Sequence, residues 1–154
     1  MKIYSLDRSI NIPATELEAW SFFSNPQNLS LITPKSMNFE VLKVDTDNIY
    51  TGQHIHYTVS PFFGISLKWT SLISEVVKQK CFTDIQVNGP YKYWHHKHIF
   101  KKIIGGITVI DKIHYALPFG CIGSILHPIL IKNRLDHIFE YRNSKIKEIF
   151  GEIK

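Results

Sequence analysis

The sequence predicts an α+β fold: a curved antiparallel sheet of about seven strands wrapped around one long C-terminal helix, with two short helices after the first strand. Three observations predict it. From Met37 to Tyr115, polar and apolar residues alternate with period two between short turn signals. After Leu117-Pro118-Phe119-Gly120 the period lengthens to that of a helix, and Leu135, Ile138, Phe139, Arg142, Ile146 and Ile149 fall on one broad stripe with Ile122, Ile125 and Ile129 before them. The connections between strands are too short for crossover helices, so neighbouring strands run antiparallel.

Taken in order, Lys2 to Ile12 reads as the first strand, broken by Pro13. Thr15 and Glu18 have the spacing of a capping box, and Leu17, Trp20 and Phe23 follow at helical intervals. Asn25-Pro26 marks a second helix start, with Asn25 as N-cap and Pro26 in the first helical position; that helix ends before Pro34. Met37, Phe39 and Val41 alternate as a strand up to a turn at Asp45-Thr46-Asp47-Asn48. His54 to Val59 forms the next, followed by an unusually aromatic turn, Ser60-Pro61-Phe62-Phe63-Gly64. Ile65 to Val77 is a long strand turned by Lys78-Gln79-Lys80, and Phe82 to Val87 is closed by Asn88-Gly89-Pro90. The last two strands flank Gly105-Gly106, a pair suited to the positive φ values of a two-residue hairpin turn. Pro128 kinks or divides the C-terminal helix, whose roughly 23 residues beyond it would span about 35 Å.

At 154 residues the chain is expected to form one domain over 1–154 with a substantial core. A hydrophobic fraction of 44% and an aromatic fraction of 13% argue for a folded globule. The ten Phe, seven Tyr and three Trp either fill that core or line a cavity. The net charge of +5 is spread along the chain without a run of five basic residues, so no nucleic-acid partner is expected. Transient contact with an anionic membrane surface stays open as a weaker reading of the same charge. Cys81 and Cys121 have no CxxC spacing, the opening residues have no apolar leader, and no stretch reaches the ~18 apolar residues of a membrane span. A soluble, reduced, cytoplasmic protein is the expectation.

The histidine-rich strand carries the functional signal. Phased against a Gly105-Gly106 turn, Ile104 faces Ile107 and Phe100 faces Asp111. One face then holds Trp94, His96, His98, Phe100, Val109, Asp111, Ile113 and Tyr115; the other holds Lys97, Lys101, Thr108, Lys112 and His114, which suits solvent. The inner face is aromatic and apolar yet contains two histidines and a carboxylate, the composition of a pocket wall. His98 and Asp111 become diagonal neighbours within hydrogen-bond reach. Two readings stand: an imidazole oriented by a carboxylate to exchange a proton or anchor a ligand's polar end, or a buried pair that satisfies itself and pins the sheet. Asp84 and Gln86 point outward with a two-residue Gly89-Pro90 turn, and inward with one extra residue or a bulge. Trp69, Trp94, Phe100 and Tyr115 either line a cavity or pack the core. Arg142, on or beside the helical stripe, meets a ligand carboxylate or a structural partner. Pro61-Phe62-Phe63 forms a cavity rim, touches a membrane, or folds under the C-terminal helix.

His96-x-His98 and His54-x-His56 each place two imidazoles on one face of a strand, which suits zinc, iron or manganese. The carboxylate that a cupin site carries a few residues later is missing from 57–64 and 99–106, and Asp111 is the candidate third ligand. No metal and no cofactor are therefore expected. With no Gly-x-Ser-x-Gly elbow and no activated cysteine, no catalytic residue is assigned.

The order of elements resembles the helix-grip fold of the START/Bet v 1-like (SRPBCC) superfamily. Local motifs are similar to one of its small bacterial ligand-binding branches: Trp20-x-Phe22-Phe23 before Asn25-Pro26, Ile32-Thr33-Pro34, Phe82-x-Asp84-x-Gln86-x-x-Gly89-Pro90-Tyr91, Trp94-His95-His96-x-His98-x-Phe100, Tyr115-x-Leu117-Pro118-Phe119-Gly120, and Ile138-Phe139-x-Tyr141-Arg142. The likeness covers nearly the whole chain and implies a hydrophobic cavity, in a superfamily that includes lipid carriers, hormone receptors and aromatase/cyclases. Fold alone does not choose among these. The expected function is binding or transport of a hydrophobic small molecule, lipid-like or aromatic. Its expected ligand-binding residues are Trp69, Trp94, His96, His98, Phe100, Asp111, Tyr115 and Arg142. The alternatives are a cyclase-, dehydratase- or hydrolase-like enzyme using a pocket histidine as general base, and a regulatory or structural protein with a collapsed cavity.

Overall fold

Strands and helices follow one another along the chain much as the periodicities predict. The computed structural model describes residues 1–62, 64–118 and 131–153, with Phe62 described by its backbone alone. The elements are β1 (Tyr4–Ile12), α1 (Glu16–Phe23), a 3₁₀ helix (Pro26–Ile32), a second 3₁₀ turn (Lys35–Met37), β2 (Glu40–Lys43), β3 (His54–Phe62), β4 (Ile65–Val77), β5 (Cys81–Asn88), β6 (Tyr93–Ile103), β7 (Gly106–Ala116) and α2 (Lys132–Phe150). The strands form one antiparallel sheet in the order β1-β7-β6-β5-β4-β3-β2: a meander from β2 to β7, with β1 added beside β7. This is the expected helix-grip α+β arrangement.

Local chemistry sets the helix starts. Thr15 caps α1 through a complete capping box, its Oγ1 accepting from Glu18 N at 3.2 Å while its own N–H donates to Glu18 Oε2 at 2.8 Å. Asn25 Oδ1 accepts from Gln27 N at 2.9 Å and Pro26 opens the next helix, which is 3₁₀ over its seven residues. No helix among the described residues is long and apolar enough to cross a membrane.

Three sequence expectations need correction. Met37 ends a 3₁₀ turn rather than starting a strand, because Asn38 takes the left-handed conformation at φ 43°, and β2 is left with four residues. The aromatic turn at Ser60–Gly64 is mostly strand: β3 runs through Ser60 and Pro61 to Phe62, which pairs with Ile65. Pro61 falls where the register shifts between Val59 and Phe62, a place where a missing N–H is tolerated. The Phe62 side chain and Phe63 lie outside the described residues, and with them the rim or membrane-contact reading. Third, the β6–β7 turn is Ile104-Gly105, not Gly105-Gly106. Ile103 pairs with Gly106, Gly105 takes φ 81°, and Ile104 is 99% exposed at the tip. Gly106 is needed for a different reason: a Cβ there would lie 2.0 Å from the Ile12 carbonyl oxygen, where β1 closes on β7. The register moves by an even number of residues, so every side chain keeps its expected face. Opposite partners change, however: His98 faces Asp111 directly and Phe100 faces Val109.

The 19 residues of α2 span about 28 Å. Residues 119–130, including Pro128 and Cys121, lie outside the described residues. Leu135, Phe139, Arg142 and Ile146 form the buried stripe of α2. Two apolar clusters pack between sheet and helices. One contains Ile12, Trp20, Phe82, Phe100, Val109 and Ile146; the other contains Val59, Trp69, Trp94, Ile113, Leu135 and Phe139.

Candidate functional site

The division between the two clusters falls at one level in every element that crosses it. On β6, His96 and His98 sit between Trp94 and Phe100; on β7, Asp111 sits between Val109 and Ile113; on α2, Arg142 sits between Phe139 and Ile146. His96, His98, Asp111 and Arg142 are each at least 92% buried. Asp84 joins them from β5, where it pairs with His96. That register corresponds to one more residue than a two-residue Gly89-Pro90 turn provides, so Asp84 points inward. Gln86 braces the connection instead, donating from Nε2 to the Tyr91 carbonyl at 2.6 Å and accepting from Tyr91 N at 3.2 Å.

Each imidazole lies between two carboxylates. His96 Nε2 is 2.9 Å from Asp111 Oδ1 and its Nδ1 is 3.5 Å from Asp84 Oδ2. His98 Nε2 is 3.2 Å from Asp84 Oδ2. Its Nδ1 approaches Asp111 Oδ1 to 3.0 Å, off the best hydrogen-bond direction. The two rings lie 3.8 Å apart between centroids, and Phe82 stacks on His98 at 4.1 Å. Arg142 Nη1 is 3.7 Å from Asp111 Oδ1, its guanidinium covers the Phe139 ring, and its Nε has no hydrogen-bond partner among the described residues.

Burial disfavours charge on all these groups, and the neighbours decide the outcome. Burial pushes the Asp111 carboxyl up, but hydrogen bonds and charge from His96 and His98 outweigh it and hold Asp111 well below the usual carboxylate range. Asp84 is held low against burial by His98, His96 and Arg142. Burial lowers His98, yet Asp111 and Asp84 together raise it above the ordinary histidine value. His96 goes the other way: burial and the charge on His98 prevail over the two carboxylates. One proton shared by the imidazoles, together with Arg142, would balance the two carboxylates, and the opposite directions of His98 and His96 favour His98 as its holder.

A pocket of about 190 Å³ opens beside this cluster, between the sheet and α2. Its walls include Ile32, Met37, Ile55, Val59, Ile73, Phe82, Leu135 and Phe139, with Tyr57, Trp69, Tyr91 and Trp94 as aromatic panels. Ser71 fastens two of these, lying 3.0 Å from Tyr57 Oη and accepting from Trp69 Nε1 at 3.2 Å. Asp84, His96, His98, Arg134 and Arg142 supply the titratable lining, beside the neutral polar residues Asn25, Asn28, Thr33 and Ser71.

Of the residues expected from sequence, Trp69, Trp94, His96, His98 and Arg142 reach this pocket. Asp111 lies behind the histidines. Phe100 packs edge-on against Trp20 at 5.6 Å in the other part of the core. Tyr115 stacks on Tyr4 at 5.7 Å and borders a second concavity with Leu6 and Leu135. Tyr57, Tyr91 and Arg134 were not expected from the sequence. Tyr57 could have been found, because it is opposite Trp69 in the β3–β4 register; Tyr91 sits in a connection whose phase the sequence left open. Among the described residues, Asp84, His96 and His98 are the group whose ligand atoms lie within 4.8 Å of one another. His54 is exposed and His56 Nδ1 is occupied by Thr70 Oγ1 at 3.0 Å.

No protein-family model matches the chain, and no curated protein matches it by sequence. Solved structures do match in shape. Protein CV1439 from Chromobacterium violaceum superposes with a TM-score of 0.71 at 10% identity, over 99% of this chain and 100% of that one. Ginseng major latex-like protein 151 from Panax ginseng gives 0.69 at 12% identity, over 96% and 97%. A protein from Thermus thermophilus, TTHA0849, gives 0.63 at 12%, over 96% and 99%. Identities this low speak to architecture, and by architecture the chain is Bet v 1-like.

Proposed function

We propose that the chain is a single binding domain of the START/Bet v 1-like (SRPBCC) superfamily, akin to its small bacterial ligand-binding branch, and that it holds a hydrophobic small molecule in the pocket under α2. The observation that carries this reading is an apolar, aromatic-walled pocket that ends on a cluster of two histidines, two carboxylates and an arginine. Walls of this kind supply affinity and a few fixed polar groups supply orientation. Size narrows the ligand class. An apolar cavity of about 150 Å³ takes up benzene, so 190 Å³ suits one or two fused aromatic rings or a short alkyl chain. A long-chain lipid would require the pocket to widen.

Thermal-shift screening against monocyclic and bicyclic aromatics, medium-chain acids and isoprenoids tests this. A ligand at 100 times its dissociation constant adds about 2.7 kcal/mol of stability, which raises Tm by roughly 5–11 °C for a chain of this size. A panel without a single shift, together with purified protein that yields nothing on solvent extraction, refutes the proposal. A second reading, a cyclase-, dehydratase- or hydrolase-like reaction with a pocket histidine as general base, draws support from His96 and His98 both lining the pocket. Turnover that survives both His96→Ala and His98→Ala would eliminate it.

A further inference from the structure

We infer that Asp84, His96 and His98 form a binding site for one divalent first-row transition-metal ion at the polar end of the pocket, with Asp111 as the carboxylate behind both imidazoles. The site is independent of whether an apolar ligand also occupies the pocket.

The two carboxylates hold the histidines differently. On the Asp111 side His96 Nε2 is hydrogen-bonded to Oδ1 at 2.9 Å, and His98 Nδ1 lies 3.0 Å from the same oxygen but off the hydrogen-bond direction. On the Asp84 side His98 Nε2 is hydrogen-bonded to Oδ2 at 3.2 Å, while His96 Nδ1 stands 3.5 Å away, beyond the roughly 2.7–2.9 Å of a charge-assisted hydrogen bond. Both separations from Asp84 Oδ2 are close to the spacing of donors around a common ion, since metal–ligand bonds of about 2.0–2.1 Å in tetrahedral array set neighbouring donors about 3.3 Å apart, and the three ligand atoms all lie within 4.8 Å of one another. The nitrogens involved are His96 Nδ1 and His98 Nε2, so the outward nitrogen of each ring is the one Asp111 contacts. A ligating histidine almost always gives its other N–H to a carboxylate or carbonyl, which fixes the tautomer and directs the free lone pair at the metal. Asp111 Oδ1 serves His96 in this way as it stands; it lies 3.0 Å from His98 Nδ1 and would serve that ring after a small rotation.

The scaffold supports the same assignment. The ligands sit on adjacent strands, His96 paired with Asp84 and His98 with Phe82, so sheet hydrogen bonding rather than a loop sets their spacing. Asp84, His96 and His98 all line the pocket, which leaves the remaining coordination positions facing a space where water or a ligand's oxygen fits. Two imidazoles and one carboxylate suit zinc or iron and are poor for magnesium or calcium. The two carboxylates neutralise a dication, while Arg142, 3.7 Å from Asp111, works against it and keeps affinity moderate. A cupin site takes its carboxylate from downstream on the same strand; here the neighbouring strand brings it instead.

Chelator-treated protein titrated with Zn²⁺ by calorimetry, without any organic ligand, is expected to bind one equivalent, and Mg²⁺ at the same concentration none. Co²⁺ should give visible absorption bands of the intensity that marks four- or five-coordination. Asp84→Asn and His96→Gln should each abolish stoichiometric binding, and Asp111→Asn should weaken it about 10–100-fold. His54→Gln and His56→Gln should leave it unchanged. Circular dichroism establishes that each variant is folded; if Asp84→Asn or His96→Gln unfolds, the Co²⁺ spectrum of the wild type and imidazole signals broadened by Co²⁺ in its NMR spectrum decide. No stoichiometric Zn²⁺ uptake, or uptake indifferent to Asp84→Asn and His96→Gln, overturns the assignment. So does uptake lost in His54→Gln. Ligand shifts in the thermal screen with no metal uptake would refute the metal site alone.

Discussion

Replacing Asp111 by Asn tests whether the buried cluster is a set of mutually compensating charges. The substitution keeps shape and volume but removes the negative charge that sits 2.9 Å from His96, 3.0 Å from His98 and 3.7 Å from Arg142. Asp84 is then left as the carboxylate beside the imidazoles and Arg142, and solvent screens them weakly, since Asp111, His96, His98 and Arg142 are each at least 92% buried. Removing one partner of a buried ion pair costs about 3–5 kcal/mol. At roughly 2–4 °C per kcal/mol for a chain of this length, Tm should fall by about 6–20 °C. Urea unfolding of chelator-treated protein followed by tryptophan fluorescence measures the loss directly. His98→Gln in the same background should recover part of it, with a coupling of about 0.5–3 kcal/mol, because the cation left unpaired is removed as well. A loss below about 1 kcal/mol, or strictly additive single and double variants, would show that Asp111 does not hold these charges.

Further outcomes follow from other parts of the fold. Gly106→Ala should destabilise by about 1–3 kcal/mol or more, because its Cβ would meet the Ile12 backbone. Gly105→Ala should cost about 1–2 kcal/mol through its positive φ alone, and chemical denaturation that ranks Gly105→Ala as the more damaging would contradict the turn assignment. Thr15→Ala removes the capping box of α1 and should cost about 1 kcal/mol in the same assay. In the metal-free protein, stability should peak near pH 6.5, the ordinary histidine value. His96 has a lowered folded pKa, so below 6.5 the unfolded chain binds a proton the folded chain refuses, and stability falls. Asp84 and Asp111, also lowered, stabilise fully above the usual carboxylate value and lose this as pH drops toward their folded values. His98 is raised, so its contribution is complete below 6.5 and disappears as pH rises through its folded value. Thermal melts from pH 4 to pH 9 read this curve; His98→Gln should flatten the alkaline side, and an unchanged alkaline limb would contradict the assignment.

Most of the architecture was legible because burial imposes a period. The even residues of β6 and the odd residues of β7 face inward as the alternation requires, and the stripe Leu135, Phe139, Arg142, Ile146 is a helical one. What alternation does not determine is register. Two adjacent glycines looked alike in sequence, yet Gly105 serves a positive φ and Gly106 a close approach by Ile12, and the difference places Asp111 opposite His98 instead of Phe100. Asp84 was undecided for a related reason: its face depends on one residue in the connection that Gln86 braces. Tyr91 and Arg134 gave no periodic signal, one lying in that connection and the other off the buried stripe of α2. The collapsed-cavity alternative required a filled interior, which the pocket beside His96 and His98 argues against.

Whether the space under α2 accepts a hydrophobic molecule can be tested without knowing the natural ligand. Methyl NMR of the protein titrated with benzene should give saturable shifts at Ile55, Val59, Ile73 and Leu135, all of which line the pocket. These shifts should disappear in Val59→Phe, whose ring would fill the space. Benzene that leaves those methyl signals unmoved, or moves them equally in wild type and Val59→Phe, would contradict the account.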